Sequence, residues 1–160
     1  MARPSTRRSA EARALVKRVT VTVTKHGLPT TYWLVTARVG GKQVGVMEIE
    51  AAKGHGGRYM KVAFAQTKKT GMGIGTKLYE AAARQACLLG RPLVSDSSRS
   101  KYSEGFWVKQ AAKGRATCIK GSGRATRLTD EWDEQGSWPC GNYALSCPAP
   151  RSLAAIKKVR

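Results

Sequence analysis

Hydrophobic and polar residues alternate without a break over residues 19–24, where Val19, Val21 and Val23 interleave with Thr20, Thr22 and Thr24. A period of two built from β-branched residues predicts a half-buried strand. His26-Gly27-Leu28-Pro29 follows as a turn, and residues 32–39 predict a second strand. Gly40-Gly41 is a two-residue hairpin signal, after which residues 42–50 return as a third strand. Residues 52–57 make a glycine-rich loop before a fourth strand over 58–66. At residue 73 the period changes. Ile74, Leu78, Ala81, Ala82, Gln85 and Leu89 recur at three- and four-residue steps, predicting an amphipathic helix over 73–89 that Gly90 ends.

The second half reads as a short strand at 92–95, then a helix capped by Ser100 or Ser103 that runs to Lys113 and stops at Gly114. A strand at 116–120, a Gly/Ser turn and a last strand within 138–146 follow, with Pro148 and Pro150 beyond it. At the other end, Ser9 is placed to cap a short basic helix over 10–17 with Glu11 in its first turn, and residues 1–8 are expected to be disordered. Hairpins pair the early strands, and strand–helix–strand units imply parallel neighbours later. The expected fold is therefore α/β (α+β), a mixed and mostly antiparallel central sheet with helices on both faces. One domain over 19–150 is expected, between a basic arm (1–18) and a basic tail (151–160).

Charge changes the picture more than length does. Lys plus Arg total 29 against 10 Asp plus Glu, a net charge of +19. Asp130, Glu131, Asp133 and Glu134 cluster, so the remaining chain is more basic still. Such a field draws in polyanions, which makes nucleic acid or an acidic protein an expected partner. No apolar run approaches the roughly 18 residues of a membrane span, and no membrane partner is expected. Residues 1–18 lack the apolar centre of a secretory signal.

Cys87, Cys118, Cys140 and Cys147 show no Cys-x-x-Cys pair, and His26 and His55 lie far from them in sequence, so no metal site of standard spacing is expected. Cys87 falls in the apolar part of a predicted helix, while Cys140 and Cys147 flank the last strand and can approach each other. Without a secretion signal, all four read as reduced thiols in a cytoplasm.

Thr70-Gly71-Met72-Gly73-Ile74-Gly75-Thr76 joins the fourth strand to its helix. Three glycines at alternate positions leave backbone N–H groups uncovered where the helix dipole favours an anion. The mononucleotide loop is excluded, because Thr76 stands where its second Gly belongs and Lys77 is followed by Leu78 rather than Ser or Thr. The dinucleotide fingerprint is excluded too. Counted from Gly71 its third Gly falls at Thr76, and counted from Gly73 at Leu78.

The segment resembles the coenzyme A loop of the GNAT superfamily of acyl-CoA N-acyltransferases, Arg/Gln-x-x-Gly-x-Gly/Ala opening a long helix. Thr70 stands at the first position, followed by Gly71, Met72, Gly73, Ile74 and Gly75. Pro92 to Asp96, then Phe106-Trp107-Val108, resemble the family's fifth strand and following helix. The arrangement is similar to that of small acetyltransferase-like proteins encoded by bacteriophages, which would put it in the cytoplasm of a bacterium or of a phage-infected host cell.

This resemblance implies acetyl-CoA as cofactor and direct acetyl transfer to a primary amine on an acceptor of unknown identity. The fourth strand is expected to splay from its neighbour and offer Val62, Ala63, Phe64 and Ala65 to the pantetheine arm, with the diphosphate over Gly71 to Thr76. The tyrosine that commonly protonates the thiolate in the family is replaced by Trp107, whose indole is no acid at neutral pH. Glu48 and Glu50, two apart on one strand and so on one face, are the candidate bases. Asp96 and Ser97 past the next strand are further polar candidates, and His26 and His55 read as exposed and idle. The alternative is a non-catalytic binding or virion-associated protein that keeps the fold and contacts nucleic acid or an acidic partner through its charge.

Overall fold

A computed structural model of the chain describes residues 4–68, 73–128 and 136–148. Helix α1 (Pro4–Arg18) begins well before the expected Ser9 cap, so Ser9 and Glu11 lie inside it and residues 4–8 are helical. Pro4 suits a first helical position, and Lys17 and Arg18 suit the negative end of the dipole. Tertiary contact supplies what a short basic helix lacks, for Leu15 packs on the core.

Four strands then form an antiparallel meander: β1 (Thr20–His26), β2 (Tyr32–Val39), β3 (Lys42–Ala51) and β4 (Met60–Thr67). Gly40 and Gly41, at φ 57° and 80°, make the β2–β3 turn. Both angles fall where side chains are disfavoured. A 3₁₀ turn (His55–Gly57) precedes β4. The order continues α2 (Ile74–Leu88), β5 (Leu93–Val94), β6 (Ser98–Ser100), α3 (Lys101–Ala112), β7 (Ala116–Cys118), β8 (Ala125–Leu128), β9 (Ser137–Trp138) and β10 (Tyr143–Leu145). Ser100 is the cap of α3, its hydroxyl accepting from the Ser103 N–H at 3.3 Å.

The main sheet has seven strands in the order β1-β2-β3-β4-β5-β10-β7. Its β4–β5 contact is parallel and its other contacts are antiparallel, which is the mixed, mostly antiparallel class expected. A second sheet, β6-β8-β9, is absent from the sequence expectation. The last strand expected within 138–146 divides between the two sheets, as Trp138 belongs to β9 and residues 143–145 to β10.

The core lies between α2 and the meander. Val35, Ala37, Met47 and Ile49 alternate inward and meet Ile74, Leu78 and Ala82 of α2. Helix α3 packs beside α2 through aromatic rings: Tyr79 stacks on Phe106 at 4.3 Å, and Trp107 meets Tyr79 edge-on at 5.7 Å.

One correction and one feature without a sequence expectation concern polar chemistry. The cysteines are not four free thiols. Cys87, at the end of α2, is bonded to Cys147 just past β10, and Cys118 at the end of β7 is bonded to Cys140. Cys140 and Cys147 do not pair with each other. The fold brings together residues 60 and 22 positions apart, which spacing alone does not encode. The reduced-thiol expectation is thereby corrected, and such bonds persist in oxidising surroundings.

Arg99 is the second. It is 1% exposed and enclosed on every side. Its Nε donates to Glu104 Oε2 at 2.7 Å, and Nη1 donates to Ser95 Oγ at 3.0 Å, the Asp96 carbonyl at 2.6 Å and the Gly141 carbonyl at 2.8 Å. Nη2 donates to the Cys140 carbonyl.

Two measurements test these contacts. Arg99→Met should lower unfolding free energy by about 3–5 kcal/mol in urea melts, because it strands the buried Glu104 carboxylate and several carbonyls. Non-reducing denaturation followed by thiol alkylation should label no cysteine. Prior reduction should expose all four and lower stability by roughly 3–4 kcal/mol per bond on loop-closure grounds. Full alkylation without reductant would contradict both bonds.

Candidate active site: the open edge of β4 and the start of α2

Strand β4 is flanked unequally. On one side β3 accompanies it from Met60 to Thr67. On the other, β5 pairs only Met60↔Leu93 and Lys61↔Val94. The next residue, Ser95, turns its polar groups toward β10 and the residue before it. Its N–H donates to the Tyr143 carbonyl at 2.8 Å, and its carbonyl accepts from Asn142 Nδ2 at 2.8 Å. From Val62 to Thr67, no strand among the described residues lies on the β5 side of β4. A free strand edge presents a row of backbone donors and acceptors.

The register with β3 shifts at the same place. Val62 faces Ile49 and Phe64 faces Glu48, which leaves Ala63 as an extra residue on β4. A bulge of this kind bends the strand and re-aims the residues beyond it. Val62 stays buried, whereas Ala63, Phe64, Ala65 and Gln66 are exposed, Phe64 to 50%.

Helix α2 begins seven residues beyond the end of this edge, at Ile74. Thr70, Gly71 and Met72 lie outside the described residues. Gly73 is the N-cap at φ 82°, and a Cβ there would come within 2.8 Å of a Val16 methyl. Backbone and packing therefore both require glycine at this position. Gly45 on β3 admits the helix closely, since a Cβ would meet Ile74 Cγ2 at 3.0 Å and Leu78 Cδ1 at 3.1 Å. The Ile74 side chain is buried in that contact, so only its backbone N–H is available to a ligand. No side chain caps this helix start, and among the described residues no group takes the N–H of Ile74, Gly75 or Thr76. Such donors and the dipole together favour an anion.

Gly75 differs from Gly73. Among the described residues a Cβ would meet nothing within 4 Å, and the backbone is not left-handed. Neither packing nor conformation asks for glycine there, and glycine within a helix costs up to about 1 kcal/mol against alanine. What its missing side chain provides is bare access to three amides.

Of the two candidate bases, Glu50 is engaged by Lys61 at 3.1 Å. Glu48 is half-buried between Leu34 and Phe64 in the cross-strand register, beside the bulge. Asp96 accepts from the Ser98 N–H at 3.3 Å and shapes the turn, while Ser97 contributes its carbonyl to Thr126 N–H at 2.8 Å. His26 stacks on Tyr32 at 4.8 Å, and the His55 side chain lies outside the described ones. The acidic cluster at 130–134 also lies outside them.

Trp107 is fully buried, and its indole N–H lies by the Tyr79 hydroxyl but makes no hydrogen bond of good geometry among the described residues. Nearby, the Tyr79 hydroxyl is 2.8 Å from Ser103 Oγ. Burial pushes this phenol above its ordinary range, and the Ser103 hydrogen bond works against that rise. Gly45 and Val16 escaped the sequence reading, which placed Ser95 at the end of a strand without giving it a role. Only Gly45 carried a signal, as a lone glycine in a strand pattern that marks close backbone approach.

No family profile matches the chain, and no curated protein does. Two solved structures are similar to it. One, from Bacteroides thetaiotaomicron, is described as a candidate acetyltransferase of the GNAT family, and the similarity covers 83% of this chain and 72% of that one, at 10% identity and a TM-score of 0.46. The other, an IAA acetyltransferase from Bacillus cereus, is similar over 89% of each chain at 16% identity and a TM-score of 0.45. At these values neither likeness assigns a substrate or a site.

Gly75→Ala separates the two roles of glycine. It should hold or raise the thermal midpoint of the free protein while weakening its stabilisation by coenzyme A at least tenfold in Kd. Undiminished coenzyme A binding by the variant would remove the cradle from this helix start.

Proposed function

We propose that the protein is an acyl-CoA N-acyltransferase of the GNAT type, moving an acetyl group from acetyl-CoA to a primary amine by direct attack. The observation that supports this most is the coincidence of a strand edge left open past a bulge with an uncapped helix N-terminus in the same stretch of chain. The residues present fit the cofactor. Backbone amides of Ile74, Gly75 and Thr76 suit a diphosphate, and the free edge over Val62, Ala63, Phe64 and Ala65 suits the amides of a pantetheine arm. The rest of the loop, Thr70, Gly71 and Met72, belongs to the same proposed cradle. Bound acetyl-CoA supplies the thioester, the electrophile of the reaction.

The chain's own contribution is placement and proton handling. An amine attacks only when neutral, and Glu48, beside the bulge and not ion-paired among the described residues, is the group proposed to take its proton. Glu50 is given the lesser role of holding Lys61. A thiol of ordinary pKa, about 8.5, is a competent leaving group without a dedicated acid. The burial of Trp107 as a core residue is therefore compatible with turnover.

The competing reading, a non-catalytic protein that contacts nucleic acid or an acidic partner, draws on the +19 charge and on Trp107 in the position of the usual acid. Acetyl transfer followed by mass spectrometry, with cell extract as the source of acceptor, decides between them. Acetylated product is expected with wild type. Glu48→Gln should lower kcat about 100-fold or more at neutral pH, leave coenzyme A binding intact, and recover partly as rising pH deprotonates the amine. Coenzyme A binding with no transfer to any acceptor would favour the binding protein.

A further inference from the structure

At the opposite end of β4 from the proposed active site lies a cavity of about 490 Å³. Its walls are the segment entering β4, with Gly57 and Arg58, and the segment leaving α2, with Leu89, Gly90, Arg91 and Pro92. The Met60 N–H donates to the Pro92 carbonyl at 3.0 Å and ties the two walls together. We infer that this Arg58–Arg91 groove is a second anion site, built for a phosphate ester of nucleotide size.

Two cations share the groove, and among the described residues no carboxylate lines it. Among the described residues neither guanidinium is ion-paired. Both arginines are exposed, so a ligand can reach them. Two unpaired guanidiniums repel each other until an anion lies between them, and their planar forks match phosphate oxygens. Gly57 and Gly90 both have left-handed backbones, at φ 69° and 70°, and added Cβ atoms would meet nothing within 4 Å. The groove is thus open at both turns.

The end of a helix ordinarily repels anions, but here that effect is blunted. The Cys87 carbonyl accepts from the Gly90 N–H and the Ala86 carbonyl from the Arg91 N–H, both at 3.0 Å. Leu89 and Pro92 add apolar surface against which a sugar or base can rest. The volume lies in the range of small-ligand pockets and exceeds what a bare phosphate fills.

Two sources carry this chemistry: a free nucleotide and a nucleic-acid strand. The net charge of +19 draws a strand from a distance more strongly than a mononucleotide. The inference does not rest on the acetyltransferase reading, because none of its residues belongs to that site.

The test uses the intact protein with a fluorescent single-stranded oligonucleotide and, separately, with adenosine monophosphate. The double variant R58A/R91A is compared with a charge-matched control, K113A/K120A, whose lysines are exposed far from the groove in sequence. R58A/R91A should weaken binding at least tenfold and lower the salt slope by about 1.4, the value for two lost single-strand phosphate contacts. The control should lose less than threefold. R58K/R91K should fall between, keeping charge but not the forks. Loss in both ligand arms identifies a nucleotide site, and loss with the oligonucleotide alone identifies a strand site. Equal losses in R58A/R91A and the control, or no measurable binding of either ligand by wild type, would overturn the inference.

Discussion

The buried Arg99 guanidinium determines where β5 ends. It is held by Glu104 and shared among Ser95, Asp96, Cys140 and Gly141, so three chain segments converge on one cation. Burying an unpaired charge is prohibitive, and the ion pair alone would not offset its desolvation. The additional carbonyls make the arrangement tenable. In satisfying it, the chain brings β10 against Ser95, whose hydroxyl also accepts from the Tyr143 N–H at 2.8 Å. Ser95 is thereby committed to β10, and β4 loses a neighbour after two paired residues. The open edge proposed to bind cofactor thus follows from a polar cluster on the far side of β5.

Close backbone approach fixes the other half of the site. Gly45 lets α2 rest on β3, and Gly73 lets α1 rest on the start of α2. A third close approach holds the Arg99 cluster itself, since a Cβ on Gly141 would lie 2.0 Å from the Ser122 carbonyl oxygen. Each of these glycines is explained by a neighbour. Gly75 is not, which is why its function weighs more than its position in a motif. Glycine at a tightly packed site reports packing, whereas Gly75 is left open for the ligand proposed there.

Elements governed by local pattern were legible in the sequence. The β1–β4 meander follows from alternation and from the Gly40-Gly41 turn, and α2 and α3 from periodicity and the Ser100 cap. Strand ends differ by one or two residues, as expected where hydrogen bonding rather than composition stops a strand. The rest depends on distant partners. β6, β8 and β9 are two to four residues long, too short to show a period. The pairing of Cys87 with Cys147 spans 60 residues, and Arg99 meets Cys140 and Gly141 across more than 40. An arginine in a Ser-rich stretch gives no local hint of burial. In the candidate site, the helix start was readable from glycine spacing, but the reason β4 stands open was not.

Net charge by itself distinguishes none of these readings. A chain at +19 attracts any polyanion, and that attraction weakens with salt wherever it acts. Geometry separates the ends of β4. At the start of α2 the donors are main-chain amides, fixed by Gly73 and Gly45, which carry no net charge and lose little to screening. At the Arg58–Arg91 groove the donors are full charges on exposed side chains, which draw ligands from farther away and lose more to salt. A diphosphate held by amides should therefore survive an ionic strength that strips a phosphate from the arginines. The two proposed anion sites would then be told apart by their response to salt.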